Sequence, residues 1–395
     1  MTVSRRIVLA GGAVAGLGTA AAVAGCSAGG ASGGRAGAAS APVAVSGPGI
    51  GTATVAFHGP RQAGVTTEPP AHAAFVSFTL ARGTDRKALG RMMRLLTDDA
   101  ARLTRGEPAL GDTEAELAVH PAALTVTFGF GPGLYRAAGL PSPVADLPAF
   151  TVDRLQDRWC GGDLLLQICA DDPLTVTHAQ RMLIKDARPF GGVRWVQRGF
   201  RRSPGVHPAG FTQRNVLGQL DGTANPRDAA METAVWNPDG GTTLVVRRIR
   251  AEIETWDLLS VSDKENAVGR RMTSGAPLSG TAEFDEPDFA KLDDTGLPLM
   301  PDFAHVTRAR MTDPRFKILR RPYNYDEAPD AQGRPDSGLI FASYQADIER
   351  QYLPIQRRLA EKDLLNEWTT PIGSSVFAIP PGCAQDGWIG ERVLG

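Results

Sequence analysis

Apolar runs of two different periods alternate along this chain, and their order constrains the fold more than any other feature. Residues 73–80 (Ala-Ala-Phe-Val-Ser-Phe-Thr-Leu) are β-prone, whereas 85–105 carry Leu89, Met92, Met93, Leu95 and Leu96 among charges at helical spacing. Residues 124–130 alternate with period two until Gly131-Pro132-Gly133 breaks the run. Residues 164–169 read as a buried strand, and 173–185 return to helix. Strand, helix, strand, strand, helix is the order of a ferredoxin-like α+β unit. The second half repeats it less cleanly, with strands at 243–249 and 338–345, a short polar helix at 262–271 and an amphipathic helix at 347–360. A further short strand is expected at 53–57. The expectation is an α+β chain with antiparallel sheets in two ferredoxin-like halves, 51–210 and 211–395, divided near 205–220.

The first residues differ in kind. Ser4-Arg5-Arg6-Ile7-Val8-Leu9 is a twin-arginine pattern followed by an Ala/Gly-rich, mildly apolar stretch, too rich in glycine for a good membrane span. Residues 1–26 are therefore expected to be an export signal, which places the protein outside the cytoplasm, secreted or lipid-anchored at the cell surface. Val23-Ala24-Gly25-Cys26 resembles a lipobox, so Cys26 is a candidate for lipidation and membrane attachment; an ordinary small-residue cleavage site is the competing reading. Residues 27–50, mostly Ala, Gly, Ser and Pro, cannot bury enough apolar surface to fold and read as a tether.

Forty-two basic against forty-three acidic residues leave a formal charge of -1, so no electrostatic footprint for nucleic acid is present. The four cysteines, Cys26, Cys160, Cys169 and Cys383, include no Cys-x-x-Cys spacing, which argues against a structural zinc site, a redox dithiol or a covalently attached haem.

Three segments carry candidate chemistry. Asp221-Gly222 and Asn225-Pro226 are turn dipeptides within 218–226, and read alone they describe a tight loop between halves. Imidazole suits an iron centre, and of the six histidines His305 follows Asp302-Phe303-Ala304 and lies upstream of Ile318-Leu319-Arg320-Arg321-Pro322-Tyr323; a lone histidine is more often structural than a ligand, and spacing alone does not decide between the two. His120 precedes a proline at a turn, and His178 sits in a helix bearing exposed polar residues. Trp236, Trp256, Trp368 and Tyr352 are candidates to relay electrons from the surface, but residues of these types are more often core or groove residues, and none is assigned a role.

Taken together, Gly218-x-x-Asp221-Gly222-Thr223, the His305 segment and Ile318-Leu319-Arg320-Arg321-x-Tyr323 resemble the dye-decolourising haem peroxidases, in particular a twin-arginine-exported subgroup that includes deferrochelatase/peroxidases. Flanking stretches at 58–65, 125–131, 161–167 and 275–278 fit as well, and the similarity spans roughly residues 52–390. The resemblance implies a barrel-like pairing of the two halves and a non-covalent haem b, one iron per chain, held largely by the second half. It makes His305 the axial ligand, Asp221 the carboxylate and Arg320 the guanidinium that activate hydrogen peroxide, with Gly222, Thr223 and Ala224 beside the cofactor. Arg247 matches a position suited to a haem propionate; a solvated strand face, shared with Arg248 and Arg250, is the alternative. Arg320 rather than its neighbour Arg321 is assigned because Ile318-Leu319 immediately precede it. The implied activity is peroxide-dependent oxidation of bulky organic reductants such as dyes or phenolics, with release of iron from haem, or haem carriage by a non-catalytic lipoprotein, as alternatives. Assembly is left open, a homo-oligomer included.

Overall fold

The computed structural model describes residues 49–208 and 210–395. The expectations placed on residues 1–48, namely the twin-arginine segment, Cys26 and nearly all of the tether, lie outside the described residues. In the N-terminal half, β1 (His72–Leu80) leads into α1 (Arg86–Leu103), then β2 (Thr125–Phe130), α2 (Pro132–Ala137), β3 (Leu164–Ala170), α3 (Pro173–Ala187) and β4 (Gly191–Phe200). The C-terminal half holds α4 (Asp228–Val235), β5 (Thr242–Ala251), α5 (Ile253–Asp257), α6 (Val261–Val268), α7 (His305–Ala309), β6 (Leu319–Arg320), β7 (Tyr323–Glu327), β8 (Asp336–Gln345), α8 (Leu353–Lys362), β9 (Thr369–Ile379) and α9 (Glu391–Leu394). Local chemistry sets the helix starts: the Asp85 and Asp172 carboxylates accept from Ala88 N (2.8 Å) and Thr175 N (2.7 Å), and Pro173 occupies the first turn of α3.

All strand pairings are antiparallel. The order is β5-β9-β2-β3-β1-β4-β7-β8-β6, and β8 pairs again with β5, which closes the sheet into a barrel. Short β6 and β7 lie along successive stretches of β8, so together they act as one strand. Read within each half, the order is second, third, first, fourth strand, the ferredoxin-like arrangement, and it occurs twice. The halves meet at two seams of one ladder pair each, Phe130↔Ala378 and Phe200↔Asn324.

Period-two alternation sorts side chains between the two barrel surfaces. Phe75, Leu165, Leu244, Val246, Leu319, Ile340, Tyr344 and Phe377 fill the interior. Val76, Phe78, Phe128, Val245 and Val376 face outward, where Leu89, Met92 and Met93 of α1 and Leu353 of α8 cover them. In the second half Arg320 pairs with Ser343, and Ser343 with Val245, so the Arg320 side chain belongs to the outer face.

Several local expectations are corrected. Residues 53–57 run extended without a ladder, meeting the neighbouring chain through Ala123 N donating to Ala53 O (2.7 Å). Strands β4 and β9 carry no continuous apolar pattern: β4 has exposed Val193 and Arg194, and β9 contains Pro371, Gly373, Ser374 and Ser375. The helix expected at 347–360 opens with a wide π-type turn, Ile348–Tyr352, before α8. His178 is buried, its Nε2 2.8 Å from Asp112 Oδ2, rather than on a polar face. Cys160, Cys169 and Cys383 are unpaired.

Candidate active site

The loop that carries Asp221 is folded by its own side chains. The Asn215 carbonyl Oδ1 accepts from Leu217 N and Gln219 N, both at 3.1 Å, while Gly218 takes φ +83°, a conformation that favours glycine. Asp221 N donates to Gln213 O (2.9 Å), and Gly222 at φ +137° turns the chain directly after the carboxylate. The Trp256 indole donates to Leu217 O (3.1 Å) and fastens the loop to α5. These constraints leave the Asp221 side chain 4% exposed.

Arg320 arrives from β6. The Asn225 amide holds its backbone on both sides, Nδ2 donating to Arg320 O (2.7 Å) and Oδ1 accepting from Arg320 N (3.0 Å). Gln351, in the π-type turn, donates to Lys317 O (2.7 Å) and fixes the approach to the strand. The guanidinium then meets the carboxylate, Arg320 Nη1 lying 2.7 Å from Asp221 Oδ1. Among the described residues, Asp221 Oδ2 has no partner. Arg321 points the other way: it is fully buried, and its Nη1 donates to Thr67 O. Of the two adjacent arginines, only Arg320 pairs with Asp221.

His305 opens α7, and its Nδ1 lies 2.6 Å from Asp363 Oδ2. Asp363 ends α8; its other oxygen accepts from Leu365 N (3.0 Å), so a buried carboxylate with a fixed geometry orients the ring. The pairing leaves Nε2, which has no hydrogen bond among the described residues, on a side chain 31% exposed. Arg308 to Glu361 (2.6 Å) and Arg358 Nη2 to Thr307 O (3.0 Å) lock α7 against α8. Because Leu353 of α8 belongs to the same buried cluster as Val245 and Val376, this assembly sits on the outer side of the same sheet that presents Arg320. Asp363 was not singled out from the sequence, where Lys362-Asp363-Leu364 reads only as a helix end.

The other expected residues divide. Thr223 donates from Oγ1 to Glu283 Oε1 (2.9 Å), Gly222 O accepts from Asn225 N (3.0 Å), and Ala224 follows in the same loop. Arg247 pairs with Phe341 on β8 and shares the outer face with Arg320. It is 2% exposed, which rules out the solvated strand face, and its Nη2 donates to Asp153 Oδ1 of the N-terminal half. Its Nε and Nη1 are buried with no partner among the described residues. Arg248 is directed instead toward Gln197 and Asp336, and Arg250 toward Glu252.

These residues fit a haem better than a bare metal ion. Among the described residues there is no group of three or more His, Cys, Asp and Glu able to hold a metal. A single imidazole with one nitrogen committed and the other open suits a macrocycle that supplies the remaining iron donors. The orphaned guanidinium nitrogens of Arg247, on the same face, suit a carboxylate such as a propionate.

Comparison with known proteins agrees. The description "Dyp-type peroxidase, N-terminal" matches residues 62–201, and "Dyp-type peroxidase, C-terminal" matches residues 212–384. The chain is 36% identical over 364 residues to a dye-decolorizing peroxidase of Thermobifida fusca, covering 84% of this chain and 83% of the relative. It is 34% identical over 362 residues to a deferrochelatase of Yersinia pestis, covering 83% and 82%. The crystal structure of a DyP-type peroxidase from Cellulomonas bogoriensis superposes with a TM-score of 0.86 at 50% identity, covering 88% of this chain and 99% of that one. The oxyferrous complex of DtpA from Streptomyces lividans does so with a TM-score of 0.84 at 38% identity, covering 88% and 98%. By sequence and fold, this chain belongs to the DyP-type haem peroxidases.

Proposed function

We propose that His305, through Nε2, would hold the haem iron and that Asp221 and Arg320 would activate hydrogen peroxide at that iron. The observation that carries this reading is the 2.7 Å Asp221–Arg320 pair on the same outer sheet face that α7 and α8 cover with a histidine oriented by Asp363. Haem iron, when bound, supplies the electrophilic centre and the electrons for splitting the O–O bond. Asp221, through its free oxygen, takes the proton from one peroxide oxygen and returns it to the other. Arg320 supplies a fixed positive charge that stabilises the anionic peroxide while its O–O bond breaks and the protonated oxygen departs as water. Arg247 would hold a haem propionate, and Gly222, Thr223 and Ala224 would lie beside the haem.

The reductant is a bulky phenol or dye. Relatives bear both the peroxidase and the deferrochelatase names, and the acid–base pair argues against a haem carrier without turnover, which has no need of a proton shuttle. The test is His305→Ala with haemin titration and peroxide-dependent oxidation of a phenol: loss of tight haem binding supports the assignment, and normal binding with histidine-type absorption refutes it. Product analysis for iron-free porphyrin separates the two activities. We further propose export through Arg5-Arg6 and attachment through Cys26. Cys26→Ser should release the protein from the membrane fraction, and unchanged attachment would remove that anchor.

A further inference from the structure

The segment 279–291 touches both walls of the site and is used by neither. At one end Glu283 Oε1 accepts from the Thr223 hydroxyl, two residues from Asp221, and the Phe284 ring lies beneath the Arg227 guanidinium, 4.4 Å away. At the other end Glu286 Oε1 is 3.5 Å from Arg310 Nη2, and the Phe289 ring lies 4.3 Å from the same guanidinium. Arg310 directly follows α7, whose first residue is His305. A carboxylate and an aromatic ring thus grip the Asp221 side, and a second carboxylate and ring grip the His305 side.

The segment is also braced by its own hydrogen bonds. The Asp285 carboxylate accepts from Thr281 N (2.7 Å) and Ala282 N (2.9 Å), Asp288 N donates to the Ser279 hydroxyl (2.9 Å), and Lys291 Nζ to Ser279 O (3.1 Å). Its root is nailed to the Asp221 loop: Arg270 Nη1 donates to Glu283 O (2.8 Å) and Gly275 O (2.6 Å). Gly275, at φ +72°, fits so closely between Leu220 and Glu283 that an added Cβ would collide with Leu220. Burial draws the Arg270 guanidinium down, Glu283 opposing and Arg320 assisting, which puts all three within electrostatic reach.

We propose that residues 279–291 form a strap across the mouth of the haem slot, with Glu283 and Glu286 as positioning residues that hold the slot's two walls together through Thr223 and Arg310 and so set how fast haem leaves. The proposal rests on the placement of the slot given above. Its consequence is kinetic: exposed hydrogen bonds and ion pairs contribute little each, but both ends must release before the walls part.

The test transfers haem from the loaded full-length protein to excess apomyoglobin, followed by absorbance. Glu283→Ala/Glu286→Ala should load haem with the parent spectrum yet release it about tenfold faster, the effect of losing both grips at once. Arg310→Ala, which frees the His305 end alone, should fall between. Glu283→Gln keeps an acceptor for Thr223 and should restore the parent rate in a single variant, which a merely electrostatic effect would not. Parent release rates in the double variant and in Arg310→Ala would overturn the strap. If His305→Ala also retains haem, the slot itself is misplaced; if it loses haem while the strap variants behave as parent, only the strap is refuted.

Discussion

Replacing Asp363 by asparagine isolates what the carboxylate does for His305. The side chain keeps its volume, and Oδ1 still accepts from Leu365 N, so the turn after α8 persists. The group facing His305 Nδ1 at 2.6 Å changes from an anionic acceptor to an amide NH₂. The ring must then accept at Nδ1 and carry its proton on Nε2, the nitrogen proposed for iron, or rotate away. A hydrogen bond to a charged group contributes about 1.5–3 kcal/mol, and at 1.4 kcal/mol per tenfold this corresponds to a loss of haem affinity of roughly 10–100-fold. The same range is typical when a carboxylate behind a metal-bound histidine is removed. Competitive haemin titration at neutral pH measures the affinity, and circular dichroism confirms that the fold is unchanged. Asp363→Glu, which restores the acceptor, should recover part of the loss. Parent affinity in Asp363→Asn would refute the reasoning, since the buried carboxylate would then serve only the helix end.

Asp221→Asn should bind haem normally but slow the reaction with peroxide by about 10²–10⁴-fold, and Arg320→Leu by about 10²–10³-fold; stopped-flow mixing measures both, and a parent rate in either removes that residue from peroxide activation. Asn225→Ala leaves Arg320 N and O without partners, which should cost about 2 kcal/mol in denaturant unfolding and impair peroxide reaction without touching haem load. In the N-terminal half, burial first and then the neighbouring Asp99 push the Asp186 carboxyl up to about 7 from its ordinary 3.8. Its folded-state value is raised, so the folded protein binds the proton more tightly than the unfolded chain: stability is greatest below pH 3.8 and declines as the pH rises to about 7, after which the penalty is complete. Asp186→Asn should therefore flatten this part of the melting profile and raise the midpoint at pH 8 by roughly 2–4 °C; an unchanged profile would refute the raised carboxyl.

The strands that read clearly in the sequence, β1, β3, β5 and β8, have apolar residues on both surfaces because one side faces the barrel interior and the other a helix. β4 and β9 hide because seam positions and close approaches admit arginine, glycine and proline; Gly199, for example, has Tyr323 and Ile340 directly against it. Periodicity cannot report such contacts, which come from the other half of the chain. Asp221 and Arg320 are separated by 99 positions, and resemblance paired them where spacing could not. Asp363 escaped notice because a carboxylate at a helix end has an ordinary local explanation, its bond to Leu365 N, that conceals its reach to His305.

Because the chain writes the same strand order twice, the barrel has two equivalent outer faces, and in principle two berths for a flat cofactor. The first is filled by the protein itself: Leu89, Met92, Met93 and Leu96 of α1 lie against Val76, Phe78 and Phe128 with essentially no surface left to solvent. The second is covered by short helices whose His305 remains partly open, above a sheet bearing Arg320 and Arg247. On the haem placement proposed above, stoichiometry follows from this asymmetry: one copy of the motif has spent its face on side chains and acts as a scaffold, and the other keeps its face for a single haem.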